Sequence, residues 1–71
     1  MKEDKINHPK HYTTGKIEVF DFIEDQGLNF ALGNVVKYVC RARYKGSELD
    51  DLNKSAWYLQ KEIERVKNVT N

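Results

Sequence analysis

The sequence contains little of what cross-links a chain or anchors it in a membrane. Its 71 residues include one cysteine, Cys40, which cannot form an internal disulfide, and one proline, Pro9. No apolar run reaches the length of a signal-peptide core or of a membrane-spanning helix. We therefore expect a cytoplasmic protein that does not enter a membrane, with a reduced Cys40 that packs within a helix.

A dominant sign of charge is also missing. Twelve Lys and Arg residues oppose eleven Asp and Glu residues, so the net charge is +1. A chain this close to neutral has no long-range field that would draw it to DNA. DNA binding is not expected, and any anion site has to be local.

The apolar residues recur at helical spacing, and no segment alternates as a strand would. Helix one is expected after Gly15 and should end at Gly27 in a left-handed cap. Helix two is expected over residues 28–44, and helix three after Ser47 as its N-cap. The apolar face of helix one is formed by Ile17, Phe20 and Ile23, widened by Val19 and Phe22.

Helix three carries the clearest periodicity in the chain. One face of it, called the apolar stripe below, contains Leu49, Leu52, Ala56, Leu59, Ile63 and Val66. These three- and four-residue steps are typical of a helix-packing seam, with a partner from the same chain or from another subunit. Trp57 and Tyr58 lie off the stripe, where helices one and two bury them or where they face a subunit or a ligand.

The sequence thus predicts an all-α fold, a compact bundle of three helices. Residues 8–71 form a single helical domain, and residues 1–7 form a flexible N-terminus. A chain of this length buries only roughly 60% of its unfolded surface. For that reason we expect assembly into a homo-oligomer.

Helix two has two chemically different faces. A basic stripe consists of Asn34, Lys37, Tyr38, Arg41 and Lys45, and the other side carries Val35, Val36, Val39 and Ala42. We expect the valine side to pack and the basic stripe to bind a phosphate that carries a base or sugar, since Lys and Arg attract the anion and Tyr stacks. An ordinary solvated face is the alternative.

A loop with two histidines precedes the first helix. His8, His11 and Tyr12 surround Pro9, and they either contact a phosphate or base or cap backbone groups. Two histidines without further ligands at recognisable spacing do not indicate a metal site, so none is predicted. Gly33 stands inside helix two, where glycine costs about 1 kcal/mol relative to alanine, and we expect the histidine loop or a ligand to approach it closely.

Three segments of the chain carry motifs. HPKHYTTGKIEVFDFIE contains His-Pro-x-His-Tyr, FALGNVVKYVCRARYKG contains Gly-Asn-x-x-Lys-Tyr-x-x-Arg, and DLNKSAWYLQKEIE contains Asp-Leu-x-Lys-x-x-x-Tyr-Leu. Together they resemble a family of short phage and prophage proteins of largely unassigned function, over His8 to about Glu64. That family includes a coliphage protein described as a nucleoside monophosphate kinase. The resemblance implies that this chain handles nucleotides during phage infection.

The resemblance also adds residues to the expected site. It implies that Asp51 orients Arg41 or Lys37. In addition, helical spacing places Lys54 and Tyr58, four residues apart, on one face of helix three, where we expect them to form a second wall of the binding pocket. The predicted function is binding of a nucleotide or nucleotide-derived phosphate. By analogy of size and chemistry with small helical oligomers that sequester nucleotide immune signals, its role would be to counter host defence.

Two other functions remain open at this stage. The first is a nucleoside monophosphate kinase, or part of one, which would need Mg²⁺; the chain has no Gly-rich phosphate loop of the GxxxxGK[ST] kind. The second is an inhibitor that binds a host protein through Trp57 and the apolar stripe.

Overall fold

The computed structural model describes residues 15–44 and 46–70. Helix α1 spans Val19–Gln26, α2 spans Phe30–Arg41 and continues as a 3-10 turn over Ala42–Tyr44, and α3 spans Glu48–Thr70. The described part of the chain contains no strand, so the all-α prediction with three helices is confirmed. The domain boundary expected at residue 8 lies outside these residues.

Local sequence signals explain where α1 ends and α2 begins. Gly27 has φ 65°, a left-handed conformation that glycine adopts without strain, and its N–H donates to the carbonyl of Glu24 at 3.1 Å. Two residues later, the Asn29 side chain accepts a hydrogen bond from the Leu32 N–H at 2.9 Å and caps α2. The left-handed cap predicted at Gly27 is therefore confirmed.

Helix α2 packs against both of the other helices. Its contact with α1 is close at Gly33, because a Cβ placed there would lie 3.2 Å from Cγ2 of Ile23. Within the described residues, α1 makes the close approach to Gly33; the histidine loop, for which such an approach was expected, lies outside them. A side chain at position 33 would require Ile23 to shift by at least a few tenths of an ångström.

The side of α3 that packs on α2 is polar. Asp51, Ser55 and Glu62 are buried, and the Ser55 hydroxyl donates to the Val35 carbonyl at 3.0 Å. Tyr58 lies half-buried on the same side. Helix α2 meets this face with Tyr38 and Arg41, so these two residues of the basic stripe pack against α3.

We expected the valine side of α2 to pack. This is wrong for Val39, because that side chain is exposed. Cys40 was expected to pack as well and is also exposed. It borders a shallow apolar cleft of about 260 Å³ between α1 and α2, lined also by Ile17, Val19, Phe22 and Val36. Among the described residues, no helix is long and apolar enough to cross a membrane.

Candidate functional site

Four aromatic rings cluster around Tyr58, where α2 meets α3. The rings of Tyr38 and Tyr58 are stacked, with 6.0 Å between centroids and 13° between planes. Tyr58 also meets Phe30 edge-on at 6.0 Å and Trp57 edge-on at 5.0 Å. Tyr58 therefore contacts three other rings, and such pairs are worth roughly 0.5–1.5 kcal/mol each beyond their buried area.

Three cationic side chains surround the Tyr38 ring. The Lys37 Nζ lies 4.5 Å from its centroid, the Arg41 Cζ 4.8 Å and the Lys54 Nζ 5.3 Å. All three distances are within the range in which the ring quadrupole attracts a cation. We call Lys37, Tyr38, Arg41, Lys54 and Tyr58 the basic-aromatic cluster.

Asp51 holds the guanidinium of the cluster in place. Arg41 Nε donates to Asp51 Oδ2 at 3.2 Å, and Arg41 Nη2 donates to Oδ1 at 3.3 Å. The Asp51 side chain is only 1% exposed, whereas that of Arg41 is 20% exposed. Lys54 Nζ approaches the same carboxylate at 3.9 Å. One buried carboxylate thus contacts two of the three cations.

The cluster brings three positive charges to one ring. Lys37, Arg41 and Lys54 carry these charges, and the Asp51 carboxylate pairs with Arg41 and approaches Lys54. Cationic side chains beside half-buried aromatic rings attract an anion, because a partly desolvated site strengthens each charge interaction. These side chains have the chemistry to bind a phosphate that is attached to a flat ring system.

The predicted site residues are brought together only in part. Lys37, Tyr38, Arg41, Asp51, Lys54 and Tyr58 converge as described. Asn34 is buried, and its amide donates to the Phe30 carbonyl at 2.9 Å within α2, so it supports the helix beneath the cluster. His8, His11, Tyr12 and Lys45 lie outside the described residues.

Two ring neighbours of the cluster were missed as site residues. Phe30 was not singled out at all. Trp57 was considered as a ring that helices one and two bury or that faces a subunit or a ligand, but it was not included among the site residues. Their helix positions were readable from the sequence, but their contact with Tyr58 depends on how α2 lies on α3. Across residues 15–44 and 46–70, no three His, Cys, Asp or Glu side chains cluster so that they could hold a metal ion.

A second polar cluster ties the start of α2 to the middle of α3. Asn29 Nδ2 donates to Glu62 Oε2 at 3.0 Å, and Arg65 donates to the same carboxylate at 2.8 and 3.1 Å. The Arg65 guanidinium, followed by the Asn29 amide, lowers the pKa of Glu62 below its ordinary value, and desolvation opposes this shift. Glu62 is buried, so this cluster is part of the packing of α3 against the start of α2.

Comparison with known proteins gives one family. A model of DUF3310, described as a protein of unknown function, matches residues 6–60. Neither curated proteins nor solved structures gave a match. The matched range contains the whole basic-aromatic cluster together with Asp51. Because the match extends over most of its length, the chain belongs to the DUF3310 family.

Proposed function

We propose that this protein binds a nucleotide or a nucleotide-derived phosphate at the basic-aromatic cluster. The observation that carries the proposal is the arrangement of Lys37, Arg41 and Lys54 within 5.3 Å of one tyrosine ring. A phosphate bound there receives the ammonium charges of two lysines. It also receives N–H donors of a guanidinium that Asp51 already holds in position, which lowers the entropy lost on binding.

The packing of the aromatic rings limits where the base of the nucleotide can stack. The stacked rings of Tyr38 and Tyr58 are in contact, so a base does not fit between them as they stand. The neighbouring Phe30 ring is accessible to a base, because Phe30 is 78% exposed, whereas Lys61 lies over the Trp57 ring. Stacking of a base on such a ring contributes roughly 1–3 kcal/mol. We therefore assign the phosphate to the cations and the base to Phe30.

For the biological role we combine the resemblance to short phage and prophage proteins with the analogy of size and chemistry to small helical oligomers that sequester nucleotide signals. In that setting, the protein acts as a cytoplasmic homo-oligomer that sequesters a nucleotide signal and so counters host defence. Binding without turnover is the simplest activity for the cluster, since it requires one anion site. A nucleoside monophosphate kinase would in addition have to hold a donor, an acceptor and Mg²⁺ together.

Native mass spectrometry with mono-, di-, tri- and cyclic nucleotides tests the proposal. We expect one class of nucleotide to be retained intact at fixed stoichiometry. The variant Lys37→Gln/Lys54→Gln should lose the nucleotide, whereas Lys61→Gln should retain it. Lys61 is a matched control because it also lies over an aromatic ring, that of Trp57 at 5.1 Å, but outside the cluster.

Other outcomes separate the remaining functions. A monophosphate that gains a phosphoryl group from ATP in the presence of Mg²⁺ would show a kinase. Failure to retain any nucleotide would contradict the proposal and direct attention to a host protein as the partner. Trp57 is the only tryptophan of the chain, and it touches Tyr58, so its fluorescence supplies an independent readout of binding.

A further inference from the structure

The apolar stripe of α3 faces away from the rest of the described chain. Its leucine, isoleucine and valine side chains are between 39% and 71% exposed, and Ala56 is exposed as well. By contrast, the only buried apolar side chain among residues 15–44 and 46–70 is Ala42. The most regular apolar pattern in the sequence is thus exposed, and the described residues form almost no apolar core.

Helix geometry explains why α2 does not cover the stripe. At 100° per residue, the stripe is centred about 90° around α3 from the face that contains Asp51, Ser55 and Glu62. Helix α2 occupies that polar face through the Arg41 ion pair and the Ser55 and Asn29 hydrogen bonds. A stripe that runs along most of a helix about 34 Å long, at 1.5 Å per residue, therefore remains available.

We propose that the apolar stripe binds the same stripe of a second copy of this chain, with the two α3 helices antiparallel. The spacing of the stripe reads the same in both directions, with steps of three, four, three, four and three residues. In an antiparallel pair, Leu49 of one copy therefore lies opposite Val66 of the other, Leu52 opposite Ile63, and Ala56 opposite Leu59. This surface is separate from the basic-aromatic cluster, so the proposal does not depend on nucleotide binding.

Side-chain size favours the antiparallel orientation over the parallel one. A parallel pair would place Ala56 against Ala56 in the middle of the interface, where two small side chains leave a gap. The antiparallel register puts Ala56 beside Leu59 on each side of the two-fold axis. Pairing small with large residues fills the space between the helices.

Charge favours the same orientation. The first turn of α3 carries Glu48 and Asp50 besides the buried Asp51, and the last turn carries Lys67. An antiparallel pair brings each acidic first turn near a basic last turn and places the two helix dipoles antiparallel, so that ends of opposite partial charge are adjacent. A parallel pair would instead bring two acidic first turns together.

The N-terminal segment of the same chain is a poor candidate to cover the stripe. Residues 1–14 contain only three large apolar side chains, those of Met1, Ile6 and Tyr12, against six stripe positions. Five of the other residues in that segment are Lys, Glu or Asp. A second copy offers the full complement of apolar side chains at matching intervals.

Analytical ultracentrifugation of the full-length chain tests the interface. We expect the wild type to form the dimer. Leu59→Lys should raise the dissociation constant of the dimer at least tenfold and so favour a helical monomer. Val39→Lys is the matched control, because Val39 is 51% exposed on α2, away from the stripe, and this variant should keep the wild-type dissociation constant. A monomeric wild type, or an unchanged dimer in Leu59→Lys, would overturn the proposal.

Disulfide trapping tests the orientation without disrupting the interface. In a Cys40→Ser background, Leu49→Cys/Val66→Cys should form a covalent dimer on mild oxidation, since the proposed register brings residue 49 beside residue 66 of the other copy. Neither Leu49→Cys nor Val66→Cys alone should cross-link. Cross-linking by either single variant indicates a parallel pair, and absence of cross-linking in the double variant removes the interface; each result would overturn the proposal.

Discussion

Arg41 and Asp51 join α2 to α3 through two hydrogen bonds, from Nε to Oδ2 at 3.2 Å and from Nη2 to Oδ1 at 3.3 Å. The pair has a structural and a functional consequence. It neutralises a carboxylate that is 1% exposed, and it fixes the guanidinium beside the Tyr38 ring. Arg41 is therefore both a packing residue and a candidate phosphate ligand.

We predict that Arg41→Ala destabilises the fold itself. Removal of the guanidinium leaves the buried Asp51 carboxylate without its main partner, which costs roughly 3 kcal/mol, the lower end of the range for buried pairs because Arg41 remains partly exposed. Urea denaturation measures this loss. Arg43→Ala serves as a control, since Arg43 is exposed and lies over the Tyr44 ring; it should change the unfolding free energy by less than about 0.5 kcal/mol. Equal stabilities of the two variants would contradict the structural role of Arg41.

The Glu62 cluster predicts how stability depends on pH. Folding lowers the pKa of Glu62, so its contribution is fully present above the ordinary carboxyl range of about 4 to 4.5 and is lost as pH falls through the lowered folded pKa. Unfolding free energy should therefore decrease as pH falls below about 5.

Glu62→Gln should make that decrease shallower, because the variant has no carboxylate to protonate. Glu64→Gln is the matched control on the same helix, because Glu64 is exposed, accepts from Gln60 at 3.3 Å and lies 3.9 Å from the equally exposed Lys61. Denaturation curves at several pH values give the comparison. If Glu64→Gln flattened the profile as much as Glu62→Gln, the assignment to Glu62 would be wrong.

The close contact between Gly33 and Ile23 predicts that a larger residue at position 33 loosens α1 from α2. A leucine at this position would occupy the space of Ile23, which lies 3.2 Å from the Cβ position, so Gly33→Leu should displace α1 from α2. Amide hydrogen exchange should then become faster over Val19–Gln26. The middle of α3 should keep its protection, since Gly33 does not pack there. Unchanged exchange in α1 would show that this contact does not hold the helix.

Much of the fold was predictable from local signals. Apolar periodicity and the glycine at position 27 were enough to place three helices and one left-handed cap. The packing faces were not predictable, because periodicity shows that a helix has an apolar stripe but not which element covers it. The stripe of α3 was recognised correctly, yet α3 turns a polar face toward α2 instead.

The site was predictable where its residues share a helix. Lys37, Tyr38 and Arg41 follow one another at helical spacing, and the resemblance added Asp51 as a partner for Arg41 or Lys37; the structure places it against Arg41. The roles of Phe30 and Glu62 were missed, because both depend on contacts between α2 and α3 that no local pattern encodes. The Asn29 to Glu62 hydrogen bond, for example, joins residues 33 positions apart.

The central claim is that the basic-aromatic cluster binds a nucleotide phosphate, and isothermal titration calorimetry of Lys37→Gln tests it most directly. The titrant is the nucleotide that wild-type protein retains in native mass spectrometry, and circular dichroism confirms that helicity is preserved. A charge-assisted contact contributes roughly 1.5–3 kcal/mol, so the account predicts a dissociation constant raised tenfold or more in Lys37→Gln and less than about twofold in Lys61→Gln. Equal affinities of the two variants would contradict the account.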